Sequence, residues 1–192
     1  MNSTTDKTAL RARLRALRKR LAVEAPDAAE RAAARLPLDR LPDFQSFSGY
    51  MAQGSEIDSS PLMRRLIDTG AEAALPIAVS RHDPLEFRLW DDRTPLEPDA
   101  FGILGPPAWA DTVEPDLVIA PLLAFDRRGG RLGQGAGHYD RTLSNLRATK
   151  PVFVLGLAYA GQEVDEIPME PHDQRLDAIL TETDFIPVSR ET

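Results

Sequence analysis

The chain has 192 residues, of which 42% are hydrophobic and 28% charged, and its formal net charge is −7. A chain of this length predicts one domain, residues 1–192, with a core large enough to need no disulfides. The absence of cysteine excludes disulfides, a thiolate nucleophile and cysteine zinc sites, and the net acidity argues against general nucleic-acid binding. Because no stretch has the apolar length of a membrane span or the apolar core of a signal peptide, we expect a soluble, cytoplasmic protein.

The first predicted element is an amphipathic, strongly basic helix. Four leucines recur at helical spacing and form one apolar stripe: Leu10, Leu14, Leu17 and Leu21. Four basic residues share the flank beside that stripe: Lys7, Arg11, Arg15 and Arg18. Residues 1–40 hold ten basic and five acidic residues, a net charge of +5, which leaves −12 for the rest of the chain. For Arg15 and Arg18 we favour a solvated helix face.

The next elements alternate between helices and strands. We predict helices at about 26–35 and 60–68, and strands at 44–51, 73–79 and 85–90. Residues 91–116 contain five prolines and few periodic apolar positions, which favours a long ordered loop. The run 117–125 is the strongest candidate for a buried strand.

The remaining elements complete an α/β pattern. A glycine-rich loop follows residue 125, and then come a helix at about 139–147 and strands at 151–159 and 178–183. Strands that alternate with helices, and that are apolar almost throughout, predict a three-layer Rossmann-like fold with a mostly parallel sheet.

The glycine-rich loop is the segment most indicative of chemistry. Gly133, Gly135 and Gly137 alternate just before a predicted helix, in a segment where arginines outnumber aspartates. Such glycines let the backbone approach a ligand, and the free N–H groups of a helix N-terminus favour an anion. The loop matches neither a Walker A nor a G-x-G-x-x-G pattern. Two interpretations therefore stay open, a phosphate cradle and a tight, solvated strand-to-helix turn.

Four ordered motifs resemble one known family. They are Lys7-x-x-Leu10-Arg11, residues 51–57 with Glu56-Ile57, the run from Ala120-Pro121 through Phe125-Asp126 to Arg131–Arg141, and residues 172–177 with Asp173 and Asp177. In this respect the chain is similar to the 5-formyltetrahydrofolate cyclo-ligases, also called 5,10-methenyltetrahydrofolate synthetases. The resemblance spans nearly the whole chain and implies a fold like that of sugar-phosphate isomerases and CoA-transferases.

The resemblance also implies a reaction. In that family ATP, with Mg²⁺, phosphorylates the formyl oxygen of 5-formyltetrahydrofolate, and N10 then attacks the activated carbon. The products are 5,10-methenyltetrahydrofolate, ADP and phosphate. We therefore expect ATP and Mg²⁺ as cofactors, small-molecule substrates, a monomer, and no nucleic-acid or membrane partner.

The same resemblance assigns roles to residues. ATP binding is implied for Lys7, Arg11, Arg131, Gly133, Gln134, Gly135, Ala136, Gly137, His138 and Tyr139. Folate binding is implied for Met51, Glu56, Gly133, Gly135, Gly137 and Tyr139. Arg131 and Tyr139 are the implied catalytic residues, and Asp140 and Asp173 are the implied metal ligands. Trp90 and Trp109 either line an aromatic pocket or pack in the core.

Three positions depart from the family pattern. His138 stands where tyrosine is usual, Ala136 stands where glycine is common, and Gly105 stands where a glutamate is expected. Because alanine rarely adopts a positive φ, Ala136 puts in doubt whether the loop has a positive φ at this position.

Two alternative functions remain. One is a sugar-phosphate isomerase or acyl-CoA transferase-like enzyme of the same fold, which would not hydrolyse ATP. The other is a non-catalytic RNA- or protein-binding module that uses the basic first helix.

Overall fold

The computed structural model describes the backbone of residues 3–189 and the side chains of residues 8–189. The helices are α1 Ser3–Glu24, α2 Ala28–Arg35, α3 Ser60–Ile67 and α4 His138–Thr149. The strands are β1 Ser46–Ser48, β2 Glu72–Ala78, β3 Leu85–Leu89, β4 Glu97–Pro98, β5 Leu104–Gly105, β6 Leu117–Ala120, β7 Ala124–Phe125, β8 Arg131–Leu132, β9 Phe153–Leu157, β10 Ala178–Leu180 and β11 Phe185–Pro187. Two short 3₁₀ turns lie at Leu38–Arg40 and Ala160–Gln162.

Seven strands form the central sheet, in the order β11-β10-β9-β6-β1-β2-β3. The inner neighbours are parallel, and the edge strands β3 and β11 are antiparallel to β2 and β10. The mostly parallel α/β sheet expected from the sequence is confirmed. The chain builds outward from β1 in one direction and from β6 in the other, so the strand order reverses between these two strands. In open α/β sheets, the carboxyl ends at such a reversal form a crevice that binds ligands.

The sheet is covered on both faces, which gives the three layers. Side chains alternate across a strand, so Ile119 packs with α2 and α3 on one face, and Val118 packs with α4 on the other. The first helix packs elsewhere. Leu14 of α1 is buried against Leu123 and Leu132 of the hairpin that follows β6. This contact holds the basic helix beside the carboxyl edge of the sheet.

The prediction of one continuous strand over 117–125 was wrong. The segment is buried as expected except at Pro121, which is partly exposed, but β6 ends at Ala120 because Pro121 has no N–H to donate to a neighbouring strand. The chain then turns into the two-stranded hairpin of β7 and β8. As a result, the loop before α4 is shorter than expected and runs over residues 133–137.

Smaller differences concern strand ends, short strands and tryptophans. Strand β1 spans three residues rather than eight, and β9 spans five, Phe153–Leu157, within the predicted 151–159. Residues 91–116 contain the short hairpin of β4 and β5, and β11 was not predicted. Trp90 packs against the core, whereas Trp109 is 70% exposed. Within residues 3–189, no helix combines the length and apolarity needed to cross a bilayer.

Candidate functional site

A cavity of about 630 Å³ lies at the carboxyl ends of β1, β2 and β6, beside the start of α4. Thirteen residues to which the resemblance assigns a role line it: Arg11, Met51, Glu56, Arg131, Gly133, Gln134, Gly135, Ala136, Gly137, His138, Tyr139, Asp140 and Asp173. Lys7, the remaining candidate, has a side chain that lies outside the described residues. The structure therefore brings into one cavity candidates that are up to 162 residues apart in sequence, from Arg11 to Asp173.

The basic helix α1 directly contacts residues 133–137, the loop between β8 and α4, which we call the glycine segment. Arg11 Nε donates to the carbonyl of Gly133 at 3.2 Å. Arg15 Nε donates to Gln134 Oε1 at 2.9 Å, and its Nη2 donates to the Gln134 carbonyl at 3.3 Å. Arg15 stays exposed, as expected for a solvated face, but it also holds the loop. Positive charge from α1 is thus placed against the loop that precedes α4.

The backbone of the glycine segment has the shape of an anion cradle. Gly135 has φ +107° and Gly137 has φ +70°, values that favour glycine, and α4 begins at the next residue. No described non-glycine residue has a positive φ, so alanine at position 136 causes no backbone strain. Because the N-terminus of α4 opens toward the same cavity, free N–H groups and the helix dipole favour a negatively charged ligand there.

Arg131 and Tyr139 line the cavity and contact each other. Arg131 Nη2 contacts Asp140 Oδ1 at 3.1 Å, and its side chain is 4% exposed. The guanidinium carbon lies 5.5 Å from the centroid of the Tyr139 ring, within cation–π range. Arg131 Nε has no hydrogen-bond partner among the described residues. Burial, together with the nearby carboxylate of Glu56, raises the pKa of the Tyr139 phenol, so the group stays protonated at neutral pH.

Glu56 is paired with an arginine, Arg18, that was expected to lie on a solvated helix face. Arg18 is 5% exposed, so the predicted solvated position was wrong. Its Nη1 lies 3.5 Å from Glu56 Oε1, its Nε donates to Ser55 Oγ at 3.1 Å, and Nη1 also donates to the Leu122 carbonyl at 3.3 Å. On the helical wheel Arg18 lies about 40° from Leu14, a position close enough to the apolar stripe to have signalled burial.

Two aromatic residues of the cavity wall were not predicted. Tyr50 follows β1, lines the cavity and donates its hydroxyl to the Ile57 carbonyl at 2.6 Å. Burial, with a further contribution from Glu56, raises the pKa of Tyr50 well above its usual value. Phe101, from the β4–β5 turn, contributes an exposed ring to the cavity lining. With Met51, these side chains give the cavity the apolar surface that a flat heterocycle requires.

The two predicted metal ligands lie on adjoining segments of the cavity. Asp140 Oδ1 accepts the backbone N–H of Gln174, the residue after Asp173, at 3.0 Å. Asp173 Oδ2 accepts the N–H of Glu170 at 2.8 Å, and ligand atoms of Glu170, His172 and Asp173 lie within 4.8 Å of one another. Carboxylates next to an anion cradle are the ligand type of Mg²⁺, which takes one or two carboxylates together with phosphate oxygens, so these residues could hold this ion.

The structure shows the surroundings of two positions that depart from the family pattern. His138 Nε2 lies 3.0 Å from the Ser80 carbonyl, and its ring meets Phe101 edge-on with centroids 5.6 Å apart. At Gly105, an added Cβ would lie 2.2 Å from Ile77 Cδ1, so a larger residue there requires the end of this isoleucine side chain to move.

The fold and the cavity define an α/β protein with a candidate ligand site at the reversal of strand order, where Arg11, Arg131 and the start of α4 favour an anion. Residues 3–182 match the family described as the 5-formyltetrahydrofolate cyclo-ligase family. The chain belongs to that family.

Individual relatives agree with the family match. The chain is 40% identical over 142 residues to a 5-formyltetrahydrofolate cyclo-ligase of Mycolicibacterium smegmatis, covering 69% of this chain and 71% of the relative. It is 32% identical over 186 residues to the enzyme of that name from Haemophilus influenzae, covering 93% and 98%. The solved structure of Aquifex aeolicus 5,10-methenyltetrahydrofolate synthetase superposes with a TM-score of 0.79 at 25% identity, covering 97% of this chain and 94% of that one.

Proposed function

We propose that this chain catalyses the ATP- and Mg²⁺-dependent cyclisation of 5-formyltetrahydrofolate to 5,10-methenyltetrahydrofolate. The observation that supports this most strongly is that residues from four separate motifs line one cavity. Their chemistry fits the two substrates, because one end is basic and glycine-rich, and the other offers a carboxylate among apolar side chains. The names and lengths of the relatives support the same activity.

The reaction proceeds in two steps. The formyl oxygen attacks the γ-phosphorus of ATP, the bond to the β-phosphate oxygen breaks, and ADP leaves. N10 then attacks the formyl carbon, the carbon–oxygen bond breaks with loss of phosphate, and the proton of N10 passes to solvent. The covalent intermediate forms on the substrate, so the protein needs to position groups and neutralise charge rather than supply a nucleophile.

The glycine segment and the arginines act on the nucleotide. The N–H groups from Gly133 to Tyr139 surround the phosphates, while Arg11, with Lys7 one helical turn away in sequence, supplies charge from α1. A second recess of about 420 Å³, lined in part by Arg11, Arg15 and Arg81, shares Gly135 with the main cavity and offers further room for the nucleotide. Arg131 neutralises charge that develops on the transferred phosphoryl group.

The opposite end of the cavity binds the folate. The carboxylate of Glu56 accepts hydrogen bonds from N–H groups of the pterin ring, and Met51 packs against the face of that ring. Tyr139, whose phenol stays protonated, donates a hydrogen bond toward the formyl group. Together these contacts place the formyl oxygen toward the phosphate cradle.

Asp140 and Asp173 would hold Mg²⁺ in this arrangement. Bound Mg²⁺ supplies positive charge to the phosphate oxygens. Asp140 has a second task, because it also orients Arg131 through the contact at 3.1 Å.

The alternative of a nucleic-acid-binding module lacks support from the geometry of α1. Arg11 and Arg15 bond the glycine segment, and Arg18 is buried against Glu56. These three side chains are directed at the cavity region rather than presented together on a free surface.

The test is to mix the protein with 5-formyltetrahydrofolate and Mg-ATP and to record the absorbance of the methenyl product and the release of ADP. We expect one ADP for each methenyl group, and no product when ATP or Mg²⁺ is omitted. Folded protein that forms no product refutes the proposal. Product formation without ADP release would instead favour an isomerase- or transferase-like reaction.

A further inference from the structure

Arg18 differs from the other basic residues of α1 because its guanidinium is buried between three segments. It contacts Glu56 after β1, the Leu122 carbonyl after β6 and the Ser55 hydroxyl. The side chains of Arg18 and Glu56 are 6% and 9% exposed. A charge in such a place is tolerated only when it is paired and hydrogen-bonded, so each of the two groups depends on the other.

The carboxylate of Glu56 is fixed from two sides. Oε1 lies 3.5 Å from Arg18 Nη1, and Oε2 accepts the N–H of Gln53 at 2.9 Å. Two further titratable groups interact electrostatically with Glu56, the phenols of Tyr50 and Tyr139, and both remain neutral at physiological pH. Among the described residues, Arg18 is thus the cation paired with Glu56 at the wall of the cavity.

The contact of Arg18 with Leu122 does not explain why a charge is needed here. The Leu122 carbonyl also accepts Gln162 Nε2 at 3.0 Å, so its hydrogen-bonding requirement is met without Arg18. The contact with Ser55 is to a neutral hydroxyl. The contact that requires a cation is the one with Glu56.

We infer that Arg18 is a positioning residue, which holds the Glu56 carboxylate in a fixed orientation at the cavity wall so that it can accept the N–H groups of the pterin ring. This inference rests on the proposed function. Arg18 itself acts through Glu56, so its effect falls on folate binding rather than on the nucleotide, for which Arg11 bonds the Gly133 carbonyl instead.

The test compares Arg18→Met, Arg18→Lys and the matched control Arg20→Met by steady-state kinetics. Methionine retains most of the apolar stem of Arg18 but removes the charge. We expect the KM for 5-formyltetrahydrofolate to rise at least about tenfold in Arg18→Met, as for the loss of one charge-assisted hydrogen bond, while the KM for ATP changes less than about twofold. Arg20, exposed on the same helix and paired with Glu24, is expected to tolerate methionine.

Arg18→Lys separates charge from shape. Lysine restores the cation but lacks the planar fork, so we expect it to recover part of the lost folate affinity. If Arg18→Met folds poorly, Arg18→Lys provides a second variant in which the folate KM can be measured. A Glu56→Gln background gives a second check, because adding Arg18→Met to it is expected to raise the folate KM by less than about twofold if the arginine acts through the carboxylate.

The outcomes distinguish the two proposals. If the wild type forms no methenyl product, the proposed function is wrong and this inference falls with it. If the wild type is active but Arg18→Met raises both KM values equally, or leaves the folate KM unchanged, Arg18 has only a structural role and the inference alone is overturned. Full additivity of Arg18→Met and Glu56→Gln overturns it as well.

Discussion

Replacing Gly135 by alanine tests whether the glycine segment binds the nucleotide. Gly135 has φ +107°, and an added Cβ would lie 3.3 Å from Arg11 Cζ and 3.4 Å from Arg11 Nε. The guanidinium must therefore move by a few tenths of an ångström, and Arg11 Nε is the donor to the Gly133 carbonyl. Gly135→Ala thus strains the backbone and displaces a cationic group in a single substitution.

The two effects have separate magnitudes. A side chain in left-handed backbone costs about 1–2 kcal/mol of stability. The displaced arginine weakens a charge-assisted contact to phosphate, which is worth about 1.5–3 kcal/mol. We therefore expect the KM for ATP to rise about tenfold or more, since 1.4 kcal/mol corresponds to a factor of ten.

Gly70→Ala is the matched control. Gly70 has φ +92°, and an added Cβ there meets nothing within 4 Å. It follows α3 and does not line the cavity. This variant should lose similar stability in urea unfolding but keep its kinetic constants. If Gly135→Ala is destabilised as much as Gly70→Ala and yet has an unchanged KM for ATP, the glycine segment does not bind the nucleotide.

Two further predictions concern acidic residues. Asp140→Asn removes a proposed Mg²⁺ ligand and the negative charge that faces Arg131. Turnover should therefore fall about a hundredfold or more, while the circular dichroism spectrum stays unchanged. Full activity at limiting Mg²⁺ would show that Asp140 is not a metal ligand. Burial alone would raise the pKa of Asp116, but hydrogen bonds from Lys150 and two backbone N–H groups lower it overall. Its stabilisation is present above the unfolded pKa of about 4 and is lost as the pH falls through the lower native pKa. At pH 7, Asp116→Asn should therefore lower the free energy of unfolding by about 1 kcal/mol or more, and this difference from wild type should shrink in acid. Urea unfolding at pH 7 and at an acidic pH measures the difference. An equal difference under the two conditions would contradict the prediction.

Local patterns in the sequence were sufficient for the layers of the fold. The apolar runs at β2, β6 and β9 and the glycines before α4 carry strong local signals, so the alternating elements were predicted correctly. The end of β6 before Pro121 was not predicted, because a run of buried residues does not show whether the hydrogen bonds of the strand also continue. Strand β11 was missed because three residues at an edge carry almost no periodic signal.

The partners of the cavity residues could not be derived from local patterns. Arg18 and Glu56 are 38 residues apart, and their contact exists only because α1 packs on the hairpin of β7 and β8. A helical wheel shows that Arg18 lies near the apolar stripe, but it does not show what the guanidinium meets. The same holds for the contact of Gln174 with Asp140, which joins two segments that are 34 residues apart.

The central claim is that the cavity activates the formyl oxygen by phosphorylation, and oxygen labelling tests it most directly. The substrate is prepared with ¹⁸O in the formyl group and converted with unlabelled Mg-ATP in unlabelled water. If the account is right, the label appears in the released inorganic phosphate, one ¹⁸O for each methenyl product. Inorganic phosphate without the label, or label released into water, would contradict the account.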